Sequence, residues 1–306
     1  MAFQAFSKAY PGISIEQTTL NAASLAPRVL QERKAGIYTW DVMQMPTTTP
    51  LQVLNPAGMF DPVRPVIVHP DVVNGAWQSG FEYGFHLTND KQLCYAFVYM
   101  HQPSVYADTA QISLDSIKSV KDLLDPKLKG KIVSADPRTA GNAFTPFTFA
   151  RLKVGDDIMK QLLVDQQIAI VVDGTQAAQQ IAHGAYAVAI GADVPIIQDF
   201  QSQGVAKSVQ PAFVAEMENA GSGMPIWLAN KAPHPNAAKV FINWWLSKDG
   251  QDAWAKNTQQ NSRRTDVTVG NPAQVVPPGV TLPDANEEAL VPELAKTQNL
   301  AKQLIK

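Results

Sequence analysis

Apolar residues recur at helical spacing at the start of the chain, and they predict a helix over residues 2–10 with three aromatic residues on one face. A Pro-Gly pair then stops the helix, and the alternation in ISIEQTT predicts a strand. The pattern repeats, since residues 25–34 favour a helix, Gly36 is suited to end it, and IYTWDVMQM favours a strand. The order predicts a β-α-β run.

A second unit of this kind lies in the middle of the chain. Residues 168–172 (IAIVV) have the pattern of a buried strand, and an Asp-Gly turn follows. Thr175 is suited to cap the helix QAAQQIAH, Gly184 to end it, and AYAVAI returns as a strand. Strand, short helix, strand favours an α/β fold of mixed, mostly parallel sheets flanked by helices.

Ligands of such sheets bind at the loops that leave the carboxyl ends of the strands. Four segments of the sequence meet this description: residues 46–49, 136–142, 173–175 and 191–193. We therefore expect binding residues in these four loops.

The stretch NKAPHPNAAKVFINWWLSKDGQ predicts an amphipathic helix. Pro235 suits its first position and His234 its cap, while Trp244 and Trp245 fall on the buried stripe. Ser247 is suited to start a second helix. After a proline-rich stretch, DANEEALVPELAKTQNLAKQLIK again has a helical pattern.

Composition excludes several classes of protein. The 306 residues are 45% hydrophobic and 17% charged with a net charge of −2, which fits a soluble globular protein long enough for two lobes with separate cores. This balance of charge gives little support for a nucleic acid or an anionic membrane as the partner. The longest apolar run, LCYAFVYM, is far short of the roughly 20 residues of a membrane span. Cys94 is the one cysteine and has no internal disulfide partner.

Motifs of catalysis and metal binding are absent from the sequence. It contains no G-x-S-x-G, P-loop, H-E-x-x-H or glycine-rich dinucleotide motif. The five histidines have no short metal-ligand spacing, and one cysteine excludes a thiolate cluster. We expect no enzyme activity, no cofactor and no metal ligands.

Several stretches resemble one protein family. NKAPHPNAAKVFINWWLSKDGQ, FSKAYPGISIE, RVLQERKAGIYTWDV, DLLDPKLKGKI and IAHGAYAVAIG are similar to segments of bacterial extracellular solute-binding proteins of ABC importers. This family has the type II periplasmic binding fold and includes binders of ferric iron, thiamine, polyamines and phosphonates. The resemblance covers residues 3–267.

The resemblance implies a fold of two lobes with the ligand held between them. Lobe 1 would comprise residues 1–97 and 222–306, with a helical tail, and lobe 2 residues 98–221. The crossing segments would lie near 95–101 and 209–224. It also implies a periplasmic monomer that delivers a small-molecule solute to a membrane permease. Neither an export signal nor the family's first strand is visible, and the adjacent tyrosines of ferric-iron binders do not occur.

Residues 136–142 (DPRTAGN) offer the most suggestive chemistry. A helix starting at residues 140–143 would present free N–H groups to an anion, and Gly141 would permit close approach. Arg138 would add a bidentate contact to a carboxylate or phosphonate, unless it pairs with Asp136. Thr139 and Asn142 complete the candidates here.

The other candidates follow from the remaining loops. Asp173 and Asp193 are suited to a ligand ammonium or a cation, although Asp-Gly is also ordinary turn chemistry. Thr47, Thr48 and Thr49 offer hydroxyl groups, or cap their own loop. Further candidates are Gly174, Thr175, Trp77 and Tyr83, with core packing the alternative for the aromatic residues and a surface position preferred for Arg263.

Together these observations predict a non-enzymatic binding protein of an ABC importer that captures a small organic anion or zwitterion by lobe closure. Two alternatives stay open. One is a metal-ion binder of the same fold without a tyrosine pair, and the other is a cytoplasmic enzyme or sensor on this fold.

Overall fold

The computed structural model of the chain describes residues 2–20, 22–139, 141–221, 224–276, 280 and 282–305. The chain forms two compact units, and each consists of two stretches of sequence. Unit 1 comprises residues 1–100 and 220–289, and unit 2 residues 101–219 and 290–306. No helix in the described residues is long and apolar enough to cross a membrane.

The helices are α1 (Ala2–Ala9), α2 (Ala22–Lys34), α3 (Pro70–Val73), α4 (Phe144–Val154), α5 (Asp157–Lys160), α6 (Gly174–Ala182), α7 (Val194–Ser202), α8 (Pro235–Leu246), α9 (Lys248–Thr258) and α10 (Val291–Leu304). The strands are β1 (Val42–Gln44), β2 (Phe60–Asp61), β3 (Cys94–Tyr95), β4 (Met100–Gln102), β5 (Val105–Asp108), β6 (Ile132–Ala135), β7 (Ala169–Val171), β8 (Val188–Ile190), β9 (Val209–Ala212), β10 (Asn219–Gly221) and β11 (Ile226–Ala229). Short 3₁₀ and π turns fill several of the connections.

In unit 1, β11 is the centre of an antiparallel sheet. It pairs with β1 along one edge, and with β2 and β3 along the other. The predicted helix with the paired tryptophans is α8, which packs on this unit's core: Trp245 is fully buried and its ring lies 5.2 Å from that of Phe3 in α1. The side chain of Ser247 accepts a hydrogen bond from Gly250 N and starts α9, as predicted.

In unit 2, the strand order is β7-β6-β8-β5-β9. The first three strands are parallel, and β5 pairs antiparallel with both β8 and β9. The prediction of strand, helix, strand around α6 is therefore confirmed. Since β6, β7 and β8 run the same way, the loops that follow them leave the same edge of the sheet.

The first predicted β-α-β run is wrong. Residues 13–19 (ISIEQTT) form no strand, because only Ile13 and Ile15 pack against the core and the rest of the segment is exposed without a neighbouring strand. The strand predicted after α2 is short, and its partner β11 is antiparallel and distant in sequence. Mostly parallel pairing thus holds for the β6–β8 part of unit 2 and not for unit 1.

The carboxyl-terminal tail divides between the units. Residues 282–289 belong to unit 1, whereas α10 belongs to unit 2 and buries Ala301 in its core. The resemblance had assigned the whole tail to lobe 1. Contacts with α4 account for the difference, because Arg151 donates a hydrogen bond to Thr297 across 2.9 Å.

Candidate functional site

Three of the four predicted loops meet in unit 2. A Cβ atom on Gly174 would lie 2.4 Å from Asn142 Nδ2 and 2.7 Å from the carbonyl oxygen of Gly191, and one on Gly191 would lie 2.6 Å from Ala143 N. The amide of Asp193 also donates to the carbonyl of Gly174 across 2.9 Å. Only glycine permits this approach, and Gly191 in addition has a φ of +69°.

Two helices begin in this loop cluster without a side-chain cap. The cap residues are Ala143 for α4 and Asp193 for α7, and neither side chain bonds to its first turn. Each first turn includes a proline without an N–H, Pro146 in α4 and Pro195 in α7, and the amide of Phe144 donates to the carbonyl of Gly141 across 3.1 Å. The remaining first-turn N–H groups and the positive ends of the two helix dipoles favour an anionic group. The predicted helix start at 140–143 is displaced to Phe144, and Ala140 lies outside the described residues.

The third helix of the cluster, α6, is capped. Asp173 accepts a hydrogen bond from Gln176 N across 2.9 Å, so the cap is Asp173 and the prediction that Thr175 caps this helix is wrong. Asp173 thus caps a helix in the structure, whereas the alternative considered for it was an Asp-Gly turn. Thr175 instead directs its hydroxyl to Asp193 Oδ2 at 3.4 Å.

Arg138 pairs with Asp136, which was the alternative to a ligand contact. Its Nε and Nη2 atoms donate to the two carboxylate oxygens across 2.9 and 2.8 Å, while Nη1 takes no part in the pair. The carboxylate of Asp136 is partly desolvated, which opposes its ionisation, but the hydrogen bonds of Arg138 outweigh this and lower the pKa of Asp136. About a third of the Arg138 side chain remains exposed.

The other candidates of this unit differ in exposure. Thr139, Gly141 and Asn142 are exposed, and a Cβ atom on Gly141 would meet nothing within 4 Å. Open space in front of Gly141 therefore leaves its backbone accessible. Asp193 is half-buried. The loop cluster combines exposed donors with aspartate carboxylates.

The first predicted loop lies in unit 1, where Thr47 is buried and Thr48 exposed. The hydroxyl of Thr47 donates to the carbonyl of Asn286 across 2.6 Å, so its proton is not free for a ligand. The amide of Asn286 in turn donates to Asp284 Oδ1 across 2.9 Å. Thr47 is thus tied to a segment far along the chain.

Tyr83 is joined to the same segment through His86. The two rings stack with centroids 4.1 Å apart, and His86 Nε2 lies 3.2 Å from Asp284 Oδ2. Burial raises the pKa of Tyr83, with a further contribution from the charge of Asp284. Burial likewise raises the pKa of the neighbouring Glu287. The structure thus connects Thr47 and Tyr83 through Asn286, Asp284 and His86.

Trp77 and Arg263 are parts of the core of unit 1. The indole of Trp77 is buried and donates to the carbonyl of Val72 across 2.7 Å, which is the packing role considered as its alternative. The surface position preferred for Arg263 is wrong, since its side chain is 1% exposed. A charged arginine side chain usually lies in water. The guanidinium of Arg263 instead donates five hydrogen bonds inside the protein, four to backbone carbonyl oxygens and one to the hydroxyl of Tyr95.

Four residues that contact candidate residues, directly or through one another, were not predicted: His86, Asp284, Asn286 and Gln298. The last donates its side-chain amide to the carbonyl of Arg138 across 2.8 Å. Three of the four lie in the carboxyl-terminal tail, which has no motif of its own. The Asp-Ala-Asn turn after the proline-rich stretch was the one local signal available in the tail.

Comparison with known proteins identifies the class. The chain matches the family of bacterial extracellular solute-binding proteins over residues 1–268 and belongs to that family. This is a family of binding proteins rather than of enzymes. An uncharacterized protein of Haemophilus influenzae is 29% identical over 166 residues, which are 51% of this chain and 46% of that protein. The match thus spans about half of the length of this relative.

Solved structures share the fold at low sequence identity. The FutA protein (IdiA) of Trichodesmium in complex with iron and citrate has a TM-score of 0.75 and 16% identity, covering 99% of this chain and 94% of that one. Apo FutA2 from Synechocystis has a TM-score of 0.72 and 16% identity, covering 99% and 95%. An ABC transporter protein from Clostridium perfringens has a TM-score of 0.73 and 17% identity, covering 99% and 94%. The predicted α/β type II periplasmic binding fold is confirmed.

Proposed function

We propose that the chain is the periplasmic, monomeric solute-binding component of an ABC importer. Its ligand is a small zwitterion, such as an amino acid or an aminophosphonate, or a related organic anion. The ligand is captured as the two lobes close and is then delivered to a membrane permease. No cofactor takes part.

One observation carries the choice of ligand, namely the mixture of charges in the loop cluster of unit 2. Two helix starts without side-chain caps and the guanidinium of Arg138 favour a carboxylate or phosphonate group. Among the residues that the structure describes, the one side-chain partner of the Asp193 carboxylate is the Thr175 hydroxyl at 3.4 Å, so this carboxylate is suited to an ammonium group. A ligand with both charges satisfies both sets of groups.

An iron ion held together with an organic anion is the second candidate. It is favoured by the Trichodesmium neighbour, which contains iron and citrate. Against it, the described residues contain no group of three or more His, Cys, Asp or Glu side chains that could hold a metal. The sequence also lacks adjacent tyrosines. We therefore place the zwitterion first.

Thermal unfolding of the purified, refolded protein tests the proposal. The panel contains amino acids, aminomethylphosphonate, carboxylates, polyamines and ferric citrate, because these compounds separate the candidates. A ligand at a hundred times its dissociation constant stabilises the native state by about 2.7 kcal/mol, which raises Tm by several degrees for a chain of this size.

Each outcome has a definite meaning. A shift with an amino acid or aminomethylphosphonate supports the zwitterion, and a shift with carboxylates alone supports the anion. A shift with ferric citrate and not with citrate supports the iron alternative. A panel without any shift, after refolding has removed any ligand retained from the cell, contradicts the proposed ligand class.

A further inference from the structure

The carboxyl-terminal tail contacts one candidate loop in each unit. We name residues 282–304 the brace. In unit 1 the carbonyl of Asn286 accepts a hydrogen bond from the hydroxyl of Thr47 across 2.6 Å. In unit 2 the side-chain amide of Gln298 donates to the carbonyl of Arg138 across 2.8 Å. The family match ends at residue 268, so the brace lies beyond it.

The first half of the brace is fixed firmly on unit 1. Asp284 is fully buried, lies 3.2 Å from His86 Nε2, and accepts the backbone amide of Asn286 across 2.9 Å. The amide of Leu282 donates to the hydroxyl of Tyr99 across 3.2 Å. On the other side of Asn286, the amide of Glu288 donates to the carbonyl of Leu87 across 2.9 Å. Because both flanks of Asn286 are held, its carbonyl has a defined position against the Thr47 hydroxyl.

The second half is fixed just as firmly on unit 2. Arg151 in α4 is buried; its Nε donates to Thr297 Oγ1 across 2.9 Å and its Nη2 pairs with Glu293. Ala301, one turn further along α10, is fully buried in the core. Gln298 follows directly after Thr297, so its side chain starts from an immobilised turn of helix.

The loop that Gln298 contacts has few other restraints. Within residues 136–139 the bonds are local: Arg138 N donates to Asp136 Oδ1 across 2.8 Å, and Thr139 N to the carbonyl of Asp136 across 3.4 Å. Thr139 and Gly141 are exposed. A loop segment whose hydrogen bonds are mainly local opens more readily, and the cost of ordering it then weakens ligand binding.

We infer that the brace positions both candidate loops for the ligand, with Gln298 and Asn286 as positioning residues that do not touch it. This inference rests on the proposed function for its consequence, since preorganised loops bind their solute more tightly. Its structural part, the immobilisation of the loops, is independent of any ligand.

Hydrogen–deuterium exchange of the full, ligand-free chain tests the structural part. Gln298→Glu keeps the size of the side chain but removes its donor, and we expect exchange of the amides in residues 136–142 to quicken by about tenfold. Gln298→Lys restores a donor and should return the rate towards that of the parent. Gln303→Glu makes the same chemical change on the exposed side of α10 and should have no effect. Exchange in β6 should be equal in all four proteins.

A companion variant tests the other half of the brace. Thr47→Val removes the hydroxyl that donates a hydrogen bond to the carbonyl of Asn286, and it keeps the shape of the side chain. We expect faster hydrogen–deuterium exchange of the amides of residues 47–49. If neither Gln298→Glu nor Thr47→Val changes the exchange of its loop, the brace does not position the loops and the inference is overturned.

Calorimetric titration with aminomethylphosphonate tests the consequence for binding. We expect Gln298→Glu to weaken binding by about tenfold and Gln303→Glu to match the parent. Equal affinity in Gln298→Glu and parent would overturn the link to the ligand. If the parent itself does not bind this probe, the proposed ligand is contradicted, and the exchange rates alone decide whether the brace positions its loops.

Discussion

The guanidinium of Arg263 lies 5.5 Å from the centre of the ring of Tyr83, in the interior of unit 1. Its hydrogen bonds go to neutral oxygens: Nε to the carbonyl of Ala96 across 3.0 Å, Nη1 to that of Gln78 across 3.0 Å, and Nη2 to the hydroxyl of Tyr95 across 3.1 Å. Burial lowers the pKa of Arg263. The planar guanidinium of Arg263 thus links the backbone at Gln78 and Ala96 through hydrogen bonds, and it also lies against the aromatic rings of Tyr83 and Tyr95.

Arg263→Lys should therefore be strongly destabilising although it keeps the positive charge. An ammonium group on a flexible stem does not reproduce the fixed fork of donors, so buried carbonyl oxygens lose their partners. We expect a loss of about 3 kcal/mol in the free energy of unfolding, measured by urea denaturation. Arg28→Lys, at an exposed arginine in an i,i+4 pair with Glu32, should change this free energy by less than about 0.5 kcal/mol. Equal effects of the two substitutions would show that the fork is not required.

Gly191→Ala should disrupt the loop cluster of unit 2. The new Cβ atom would lie 2.6 Å from Ala143 N, which is backbone and can retreat only if the start of α4 moves. Gly130→Ala is the matched control, since Gly130 has a similar φ of +72° but open space around its Cβ position. Both variants carry the conformational cost of a positive φ, about 1 kcal/mol.

The difference between these two variants isolates the close approach. We expect Gly191→Ala to unfold about 2 kcal/mol more easily than Gly130→Ala in chemical denaturation, because only it forces the backbone apart. Equal losses would mean that the loops meet less closely than the structure indicates, and would weaken the argument for a binding site built from them.

The parts of the fold that were predictable from sequence are those set by local pattern. The order β7, α6, β8 follows from a strand pattern, an Asp-Gly turn and a helix ended by a glycine, and all of these signals lie within one short stretch. Parallel pairing of its strands is enough to predict that the loops after them lie at one edge of the sheet. The strand predicted for residues 13–19 does not form, because alternation of apolar and polar residues does not by itself provide a neighbouring strand to pair with.

The parts that were not predictable depend on contacts between distant residues. Arg263 has the local sequence of a surface residue, and it is buried because carbonyl groups of distant residues accept its hydrogen bonds. The residues next to Arg263 in sequence give no sign of these partners. The same holds for Asn286 and Gln298, whose partners are Thr47 and Arg138. Periodicity reports which face of an element is buried, but it does not report what covers that face.

Acid stability should depend on Asp252 in α9. Its hydrogen bond with Lys256, followed by that with Thr268, lowers the pKa of Asp252 to about 2 from a usual value of 3.8. A carboxylate whose pKa is depressed in the folded state adds stability above its unfolded pKa, and this is lost as the pH falls through the folded value. The contribution of Asp252 is thus complete above about pH 4 and disappears by about pH 2.

Asp252→Asn removes this dependence. We expect the variant to be less stable than the parent at pH 7, by up to about 1 kcal/mol because the pair is largely solvated, and equal to it near pH 2. Asp165→Asn serves as the control variant, because it makes the same change at an exposed carboxylate of unit 2. Denaturation curves collected from pH 7 to pH 2 provide the measurement. A constant gap between Asp252→Asn and the parent at every pH would contradict the assignment.

Arg138→Ala should weaken binding of a phosphonate-bearing ligand. The guanidinium keeps Nη1 outside its pair with Asp136, and removing it takes away a charge-assisted hydrogen bond while leaving the carboxylate of Asp136 without its partner. We expect the dissociation constant for aminomethylphosphonate to rise by at least about thirtyfold in calorimetric titration. Lys160→Ala removes an exposed positive charge from the same unit and should leave affinity unchanged. Unchanged affinity in Arg138→Ala would place the anionic group at the helix starts alone, and a loss shared equally with Lys160→Ala would indicate general attraction by charge rather than a contact.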